Sequence, residues 1–165
     1  MDINRRIFIA IGSNLGNRIK NCQKAIDMVC DHKDIELVKC SSFYETRPAD
    51  IDSNNWFINA VFEIRAKIGA EALMEYLLNV EKALGRDRAK GPDRTVDLDL
   101  LYVEGISKNT QRLTLPHPRF FKRDFVLMPW AEIAPNFFIK ELGRDISSLL
   151  RCLEIDPSSI YKVEA

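Results

Sequence analysis

Apolar and polar positions alternate along the first two thirds of the chain in a way that predicts four strands and two helices. An unbroken apolar run at residues 7–11 predicts a buried strand that ends in a turn of glycine, serine and asparagine. Three further strands are predicted at residues 35–44, 56–65 and 96–103. Helical spacing predicts one helix capped by Asn17 and a second over residues 68–84, which Gly85 would end. Residues 45–55 are polar and are predicted to form a loop.

The order strand–helix–strand–strand–helix–strand is that of a split βαβ unit, so we predict a ferredoxin-like α+β sandwich. Both helices would cover one face of a largely antiparallel sheet and leave the other face to form a site, together with C-terminal additions. Those additions are a short strand at residues 113–115 and short helices at residues 124–133 and 146–153. Since no repeat or linker interrupts the pattern, residues 1–165 are expected to form one domain.

Composition and charge narrow the class of protein. Of the 165 residues, 46% are hydrophobic and 29% are charged, which excludes a disordered tail or a disulfide-stapled miniprotein. Lys and Arg number 24, as do Asp and Glu, so the formal net charge is +0. This balance argues against a protein held on nucleic acid by bulk charge, but it permits a local basic patch that binds a small polyanion.

The cysteines and the N-terminus indicate a reducing, aqueous compartment. The four cysteines form no C-x-x-C pair and only two histidines could join them, so a structural zinc site is not expected. The apolar run at residues 7–11 is too short for a signal peptide or a membrane span. We therefore expect a cytoplasmic protein with reduced thiols and no membrane partner.

Two aspartates stand inside the fourth predicted strand, in the sequence Asp97-Leu98-Asp99. Side chains two positions apart share one face of a strand, so the two carboxylates project together while Leu98 points into the core. Two like charges on one face repel each other. Mg²⁺ would relieve that repulsion, because it takes carboxylates, waters and substrate phosphates as ligands. A solvated pair on an exposed sheet face is the alternative.

The loop before this strand, residues 86–95, is rich in cations. It contains Arg86, Arg88, Lys90 and Arg94. Arginine forks match phosphate oxygens, so arginines beside a metal-binding pair are what triphosphate chemistry requires. The loop has few apolar anchors and is expected to be mobile without ligands. An ordinary solvated surface loop is the alternative interpretation.

A second basic cluster and two aromatic residues complete the candidate chemistry. The cluster around His117 consists of Arg112, Arg119, Lys122 and Arg123. The His117 imidazole, held between two prolines, could donate to a phosphate or an adenine, or it could be structural. Phe57 and Phe125 could hold a planar heterocycle between their rings or lie in the core. Asn59 shares the strand face of Phe57 and offers such a ring both a donor and an acceptor.

Several motifs follow one another along the chain in the order of a known family. They are Ile9-Ala10-Ile11-Gly12-Ser13-Asn14-Leu15-Gly16, Ser41-Ser42-Phe43-Tyr44-Glu45-Thr46, Phe57-Ile58-Asn59-Ala60, Glu81 with Gly85-Arg86, Arg94-Thr95-Val96-Asp97-Leu98-Asp99-Leu100-Leu101, Leu113-Thr114-Leu115-Pro116-His117 and Ile133-Ala134-Pro135. Together they resemble the 6-hydroxymethyl-7,8-dihydropterin pyrophosphokinases of folate biosynthesis. The resemblance implies a ferredoxin-like fold and an enzyme that transfers the β,γ-pyrophosphoryl unit of MgATP to the pterin hydroxymethyl group and releases AMP.

The resemblance also implies roles for individual residues. Asp97 and Asp99 would hold two Mg²⁺ ions and act in catalysis with Arg86 and Arg94. The nucleotide would be bound by Arg86, Arg88, Arg94, Leu100, Arg112, Thr114, His117 and Arg123, with Leu100 lining the adenine pocket. The pterin would lie between Phe57 and Phe125, with Asn59 at its edge and backbone contacts from Thr46, Arg47 and Ala49. The partners would be these small molecules, without nucleic acid, and a monomer is expected.

The cationic loop departs from the family pattern. The usual Gly-Pro-Arg before the acidic strand is Gly91-Pro92-Asp93-Arg94 here, and Lys90 stands where an aromatic is common. Because Asp93 lengthens the loop and puts a negative charge beside Arg94, we expect its deletion to leave activity equal or higher. Two other interpretations are a non-enzymatic ferredoxin-like binding module and a relative that kept the fold but lost efficient transfer.

Overall fold

The computed structural model describes residues 5–49 and 51–164 and is built on a six-stranded antiparallel sheet. The strands of the chain are β1 (Ile7–Ser13), β2 (Ile35–Cys40), β3 (Tyr44–Thr46), β4 (Phe57–Ala66), β5 (Asp97–Val103), β6 (Lys108–Asn109), β7 (Thr114–Leu115), β8 (Phe138–Ile139), β9 (Arg144–Asp145) and β10 (Ile160–Lys162). The main sheet runs β10-β3-β4-β1-β5, and β2 also pairs with β4. Strands β6 with β7, and β8 with β9, form two small separate pairs.

The helices lie within about two residues of their predicted bounds, with α2 shorter at both ends and α4 shorter at its C-terminal end. They are α1 (Arg18–Cys30), α2 (Ala70–Ala83), α3 (Asp124–Ile133) and α4 (Ile146–Arg151), with short 3-10 turns at Arg88–Lys90 and Phe120–Lys122. The Asn17 side chain accepts the Lys20 N–H at 3.2 Å and so satisfies a free donor at the start of α1. Gly85, at φ 92°, follows α2 in the left-handed conformation that glycine adopts most easily. Among the described residues, no helix is long and apolar enough to span a membrane.

One face of the sheet is covered by α1 and α2, as the sequence predicts. Ile9 of β1, Phe62 of β4 and Leu98 of β5 are buried against apolar residues of these helices, such as Leu77. The intervening side chains of each strand project from the opposite face. The strand order and the helix positions confirm the predicted ferredoxin-like split βαβ arrangement.

The opposite face is only partly open, which corrects the expectation that it would be free. Helices α3 and α4 pack on part of it around Phe8 and Trp130, both 0% exposed, together with Val61 and Phe137. This second core arises because the irregular C-terminal third folds back onto the sheet. The uncovered part of the face lies where β4 and β5 present the polar side chains of Asn59, Asp97 and Asp99, on either side of Gly12 of β1.

The predicted second strand is in fact two strands. The Ser41 N–H donates to the Val61 carbonyl at 2.9 Å, and the Val61 N–H donates to the Ser41 hydroxyl at 3.0 Å, so a side chain replaces a ladder partner and the strand breaks there. Strand β3 then continues to Thr46, a residue predicted to lie in a loop. Strand β3 pairs over its whole length with β4 on one side and with β10, a strand that the sequence did not predict, on the other.

Candidate active site

A cavity of about 360 Å³ lies on the uncovered part of the sheet, a size common for small-ligand sites. Gly12 of β1 stands at its centre, opposite Asn59 of β4 and Asp97 of β5. A Cβ on Gly12 would lie 2.6 Å from Asn59 Oδ1 and 3.5 Å from the Phe57 ring. Only glycine therefore leaves Asn59 in its present position. The sequence predicts that this glycine lies in the turn after β1, whereas in the structure it belongs to β1 itself and lines the cavity.

The two carboxylates of β5 both line the cavity, as predicted. Asp97 Oδ1 lies 3.6 Å from Arg86 Nη1, and Asp97 Oδ2 lies 3.4 Å from Arg94 Nη1. Burial and then the negative charge of Asp97 raise the pKa of Asp99 to about 7, against the opposing effect of Arg123 and Arg94. A bound cation would stabilise the ionised form of Asp99 and so offset this rise in its pKa.

The donor set of the acidic pair fits Mg²⁺. Both residues offer hard carboxylate oxygens from one strand face, and Mg²⁺ is commonly held by one or two carboxylates together with waters and phosphates. Within residues 5–49 and 51–164, no group of three or more His, Cys, Asp and Glu side chains forms a metal cage. Most of the coordination shell would therefore come from a phosphate substrate and water.

Glu81 of α2 lies behind the acidic pair and was missed as a site residue. Its carboxylate is 2% exposed and accepts the Leu98 N–H of β5 at 2.6 Å, and it lies 3.5 Å from Arg88 Nη2. Burial raises the pKa of Glu81. The residue fastens the end of α2, and hence the start of the cationic loop, to the acidic strand. The sequence does set Glu81 apart, because it follows Leu77 by four positions and so places a carboxylate on the apolar face of its helix.

Arginine side chains give the cavity its capacity to bind phosphate. Six of them line it, namely Arg47, Arg86, Arg88, Arg94, Arg119 and Arg123. A chain of net charge +0 thus concentrates positive charge at one place, which favours a small polyanionic ligand. Arg94 Nε is buried and finds no hydrogen-bond partner among the described residues.

His117 lies at the edge of this cationic set. Burial, followed by the charges of Arg123 and Arg119, lowers the pKa of His117 to about 4, so the imidazole is neutral at physiological pH. Its Nδ1 accepts the Arg119 N–H at 3.2 Å, which leaves the proton on Nε2. The neutral ring can therefore donate one hydrogen bond to a ligand oxygen or nitrogen.

The apolar end of the cavity holds the predicted aromatic residues. Phe57 and Phe125 both line it. The Arg94 guanidinium lies 5.5 Å from the Phe57 ring centre, and that of Arg123 lies 5.6 Å from the Phe125 ring centre. Asn59 Nδ2 donates to Thr46 Oγ1 at 2.6 Å, so the amide is fixed in orientation. A flat heterocycle with hydrogen-bonding edges fits this combination of rings and a fixed amide.

Most of the predicted site residues come together in this cavity. Those that line it are Thr46, Arg47, Ala49, Phe57, Asn59, Arg86, Arg88, Arg94, Asp97, Asp99, His117, Arg123 and Phe125. Leu100, Arg112 and Thr114 do not line it. Leu100 is 3% exposed and belongs to the core beneath α1 and α2, because it points to the opposite side of β5 from Asp99. Its predicted contact with adenine stays a prediction.

Comparison with known proteins identifies the family. A family model described as 7,8-dihydro-6-hydroxymethylpterin-pyrophosphokinase (HPPK) matches residues 8–135. The 2-amino-4-hydroxy-6-hydroxymethyldihydropteridine pyrophosphokinase of Methylorubrum extorquens is 36% identical over 161 residues, covering 96% of this chain and 99% of that protein. The protein of the same name from Bacillus subtilis is 38% identical over 133 residues, covering 79% of each chain.

Solved structures confirm the fold. The HPPK-DHPS protein of Plasmodium falciparum with pteroate matches 90% of this chain with a TM-score of 0.71 and 10% sequence identity. This chain spans 44% of the length of that protein. An HPPK-DHPS structure in complex with substrates gives the same TM-score at 12% identity. At such identities the likeness concerns the fold alone, which is the predicted ferredoxin-like one.

Proposed function

This chain belongs to the 7,8-dihydro-6-hydroxymethylpterin-pyrophosphokinase family, and we propose that it transfers the β,γ-pyrophosphoryl group of ATP to the hydroxymethyl group of 6-hydroxymethyl-7,8-dihydropterin. One observation supports this most strongly. An acidic pair, a set of arginines and a pocket with two phenyl rings and a fixed amide line the same cavity. A triphosphate with Mg²⁺ would bind to the acidic pair and the arginines, and a pterin would bind in the pocket.

The metal-binding part of the proposal assigns two Mg²⁺ ions to Asp97 and Asp99. The support is the shared face of the two side chains and the raised pKa of Asp99, whose ionised form is disfavoured by burial and by the charge of Asp97 in spite of Arg123 and Arg94. When bound, the ions would neutralise phosphate charge and make the β-phosphorus more electrophilic. Arg86 and Arg94, now paired with Asp97, would exchange that partner for phosphate oxygens.

The nucleotide-binding part of the proposal uses the cationic residues around the acidic pair. The residues assigned to ATP are Arg86, Arg88, Arg94, Leu100, Arg112, Thr114, His117 and Arg123. Arginine forks bind phosphate oxygens in pairs, and the neutral His117 ring donates through Nε2. Arg88 has a side chain that is 65% exposed, so it can move onto the phosphates without losing a buried position.

The pterin-binding part places the flat ring between Phe57 and Phe125. Asn59, held by Thr46, would read the amide-like edge of the ring, with backbone groups of Arg47 and Ala49 nearby. The buried Thr46–Asn59 hydrogen bond fixes which amide atoms face the ligand, so recognition costs little side-chain entropy.

In the reaction the pterin hydroxyl oxygen attacks the β-phosphorus of ATP. A bond forms between that oxygen and the β-phosphorus, the bond from the β-phosphorus to the α-phosphate bridging oxygen breaks, and AMP leaves with the electron pair. Asp97 accepts a hydrogen bond from the attacking hydroxyl, and the hydroxyl proton passes to solvent. Arg86 and Arg94 orient the chain of phosphates and oppose the charge that shifts toward AMP.

The proposal is tested by incubating the protein with ATP, Mg²⁺ and reduced 6-hydroxymethylpterin and measuring AMP. We expect AMP and pterin diphosphate in equal amounts, with no AMP when the pterin is omitted. Release of ADP would indicate a different phosphoryl transfer. Binding of the ligands without AMP would favour either a ferredoxin-like binding module or a relative that has lost transfer, and would contradict the proposal.

The working unit is proposed to be one domain of residues 1–165, acting as a monomer in the cytoplasm without a nucleic-acid partner. The support is that most of the residues given a role line a single cavity, which one chain forms without a partner. Light scattering at the concentration of the activity assay checks the monomer, and a dimer of constant mass would contradict it.

A further inference from the structure

Asp93, the extra residue of the cationic loop, is held by donors from two other loops. Its carboxylate accepts hydrogen bonds from Asn14 Nδ2 at 2.8 Å, from Asn55 Nδ2 at 3.0 Å and from the Ser53 hydroxyl. Asn14 follows β1, whereas Ser53 and Asn55 precede β4. We call these four residues the Asp93 junction. It joins three loops that are far apart in the sequence.

Asn14 also holds the residue next to Asp93. Its side-chain Oδ1 accepts the Arg94 N–H at 2.7 Å, and its own N–H donates to the Arg94 carbonyl at 3.1 Å. Asn14 is 4% exposed, so these bonds are shielded from water. The Asn14 side-chain Nδ2 donates to the Asp93 carboxylate and, at 3.4 Å, to the Asn55 carbonyl. A single buried residue, Asn14, thereby holds the backbone of Arg94 and the side chain of Asp93.

The geometry separates Asp93 from the reacting groups. Asp93 does not line the cavity, whereas Arg94 does. Three donors surround the Asp93 carboxylate, and these hydrogen bonds lower the pKa of the group, that from Ser53 most. The carboxylate oxygens of Asp93 thus accept hydrogen bonds from the junction residues, and Asp93 does not line the phosphate site. The charge of Arg94 also lowers the pKa of Asp93, but less than the three hydrogen bonds do.

We infer that Asp93 is a positioning residue: by binding the loops of Asn14 and of Ser53 and Asn55, it holds Arg94 at the acidic pair for pyrophosphoryl transfer. The inference rests on the proposed function. It gives the cationic loop a second attachment, at residues 93–94, in addition to the one that Glu81 provides at the start of the loop. It also reverses the earlier expectation, since removal of Asp93 should lower activity.

The kinetic test compares Asp93→Ala with Asp93→Asn and the wild type in steady-state AMP formation. A misplacement of about 1 Å at a reacting group costs up to about 100-fold, so we expect Asp93→Ala to lower kcat by about 10- to 100-fold. KM for both substrates should change less than about threefold, because the rings and the acidic pair are untouched. Asp93→Asn keeps one acceptor oxygen, so its kcat should lie between that of Asp93→Ala and that of the wild type. Asp52→Ala, which removes an exposed carboxylate from the Ser53 loop, is the matched control and should match wild type.

A double-mutant cycle tests whether Asp93 acts through the junction. Asn55→Ala should lower kcat less than Asp93→Ala does, and the double variant should be no worse than Asp93→Ala alone, because the lost interaction is the same. Multiplicative losses would overturn the inference. So would an Asp93→Ala protein with wild-type kcat, or with a higher one, which would restore the view that the charge of Asp93 is harmful.

A fluorescence measurement tests the junction without activity. The chain has two tryptophans, of which Trp130 is 0% exposed and Trp56 follows Asn55 directly. Acrylamide quenching therefore reports mainly on Trp56. We expect quenching to increase in Asp93→Ala but not in Asp52→Ala, at equal thermal stability. Unchanged quenching in Asp93→Ala would show that Asp93 does not hold the loop of Ser53 and Asn55, and would overturn the inference. Absence of AMP formation by the wild type would contradict the proposed function instead, and the quenching result would still decide whether the loops are joined.

Discussion

Replacing Asp99 by Asn is expected to stabilise the metal-free protein, and to do so more at pH 8 than at pH 5. Burial and the neighbouring charge of Asp97 raise the pKa of Asp99 to about 7 from its ordinary value of 3.8. A carboxyl whose pKa rises on folding keeps its proton in the folded protein after the unfolded chain has lost it. Its ionisation therefore opposes folding.

The sign and size of the effect follow from these values. Below about pH 4 both states are protonated and Asp99 costs no stability. The cost grows as pH rises from about 4 to 7 and is complete above about pH 7. A difference of about 3 pKa units at 1.36 kcal/mol each sets a ceiling of about 4 kcal/mol. Movement of the nearby arginines toward the ionised carboxylate reduces this cost, so we expect a gain of about 1–3 kcal/mol for Asp99→Asn at pH 8.

The assay is urea unfolding in EDTA at pH 5 and pH 8, with exposed Asp27→Asn as the matched control. We expect the advantage of Asp99→Asn over wild type to be larger at pH 8, and the control to show no such difference. Adding Mg²⁺ should stabilise the wild type more than the variant, since a cation that binds the folded state raises its stability. An advantage that is equal at both pH values, or absent at pH 8, would show that Asp99 is not under electrostatic strain.

Other predictions concern the reacting groups and the pterin pocket. Asp97→Asn should abolish AMP formation while leaving the unfolding transition intact; turnover at the wild-type rate would contradict a metal role. Phe125→Ala should weaken pterin binding by about 1–3 kcal/mol with little change for ATP, measured by calorimetry, because ring stacking is lost. Equal losses for both ligands would indicate damaged folding. Arg94→Ala should lower the single-turnover rate far more than substrate affinity, and an effect on affinity alone would contradict its role in the transition state.

The sequence predicted the parts of the fold that depend on local periodicity. Helix α2 was visible from its apolar stripe and from Gly85. The break in the predicted second strand was not, because it depends on a hydrogen bond between Ser41 and Val61, which are 20 residues apart. The extension of β3 to Thr46 likewise involves pairing with β4 and with β10, which lies at the other end of the chain. Pairing between distant segments leaves no mark on the local pattern.

The site was predictable where a residue contradicts its surroundings. Asp97 and Asp99 stand out because carboxylates are rare in an otherwise apolar strand. The Asp93 junction does not stand out, since Asn, Ser and Asp are ordinary loop residues. Their partners are 38 to 80 residues away, and only the folded chain brings them together.

The arrangement of the site is ultimately fixed by the register of β1 with its two neighbours. Gly12 meets Asn59 on one side and Asp97 on the other, so one position of β1 sets the distance between the amide of the pterin pocket and the acidic pair. A slip of one residue would turn the apolar side chains of β1, such as Ile9, out of the core beneath α1 and α2. The same burial that stabilises the sheet therefore prevents the slip. Substitutions in that core that preserve its volume should change the stability of the protein while leaving the geometry of the site unchanged.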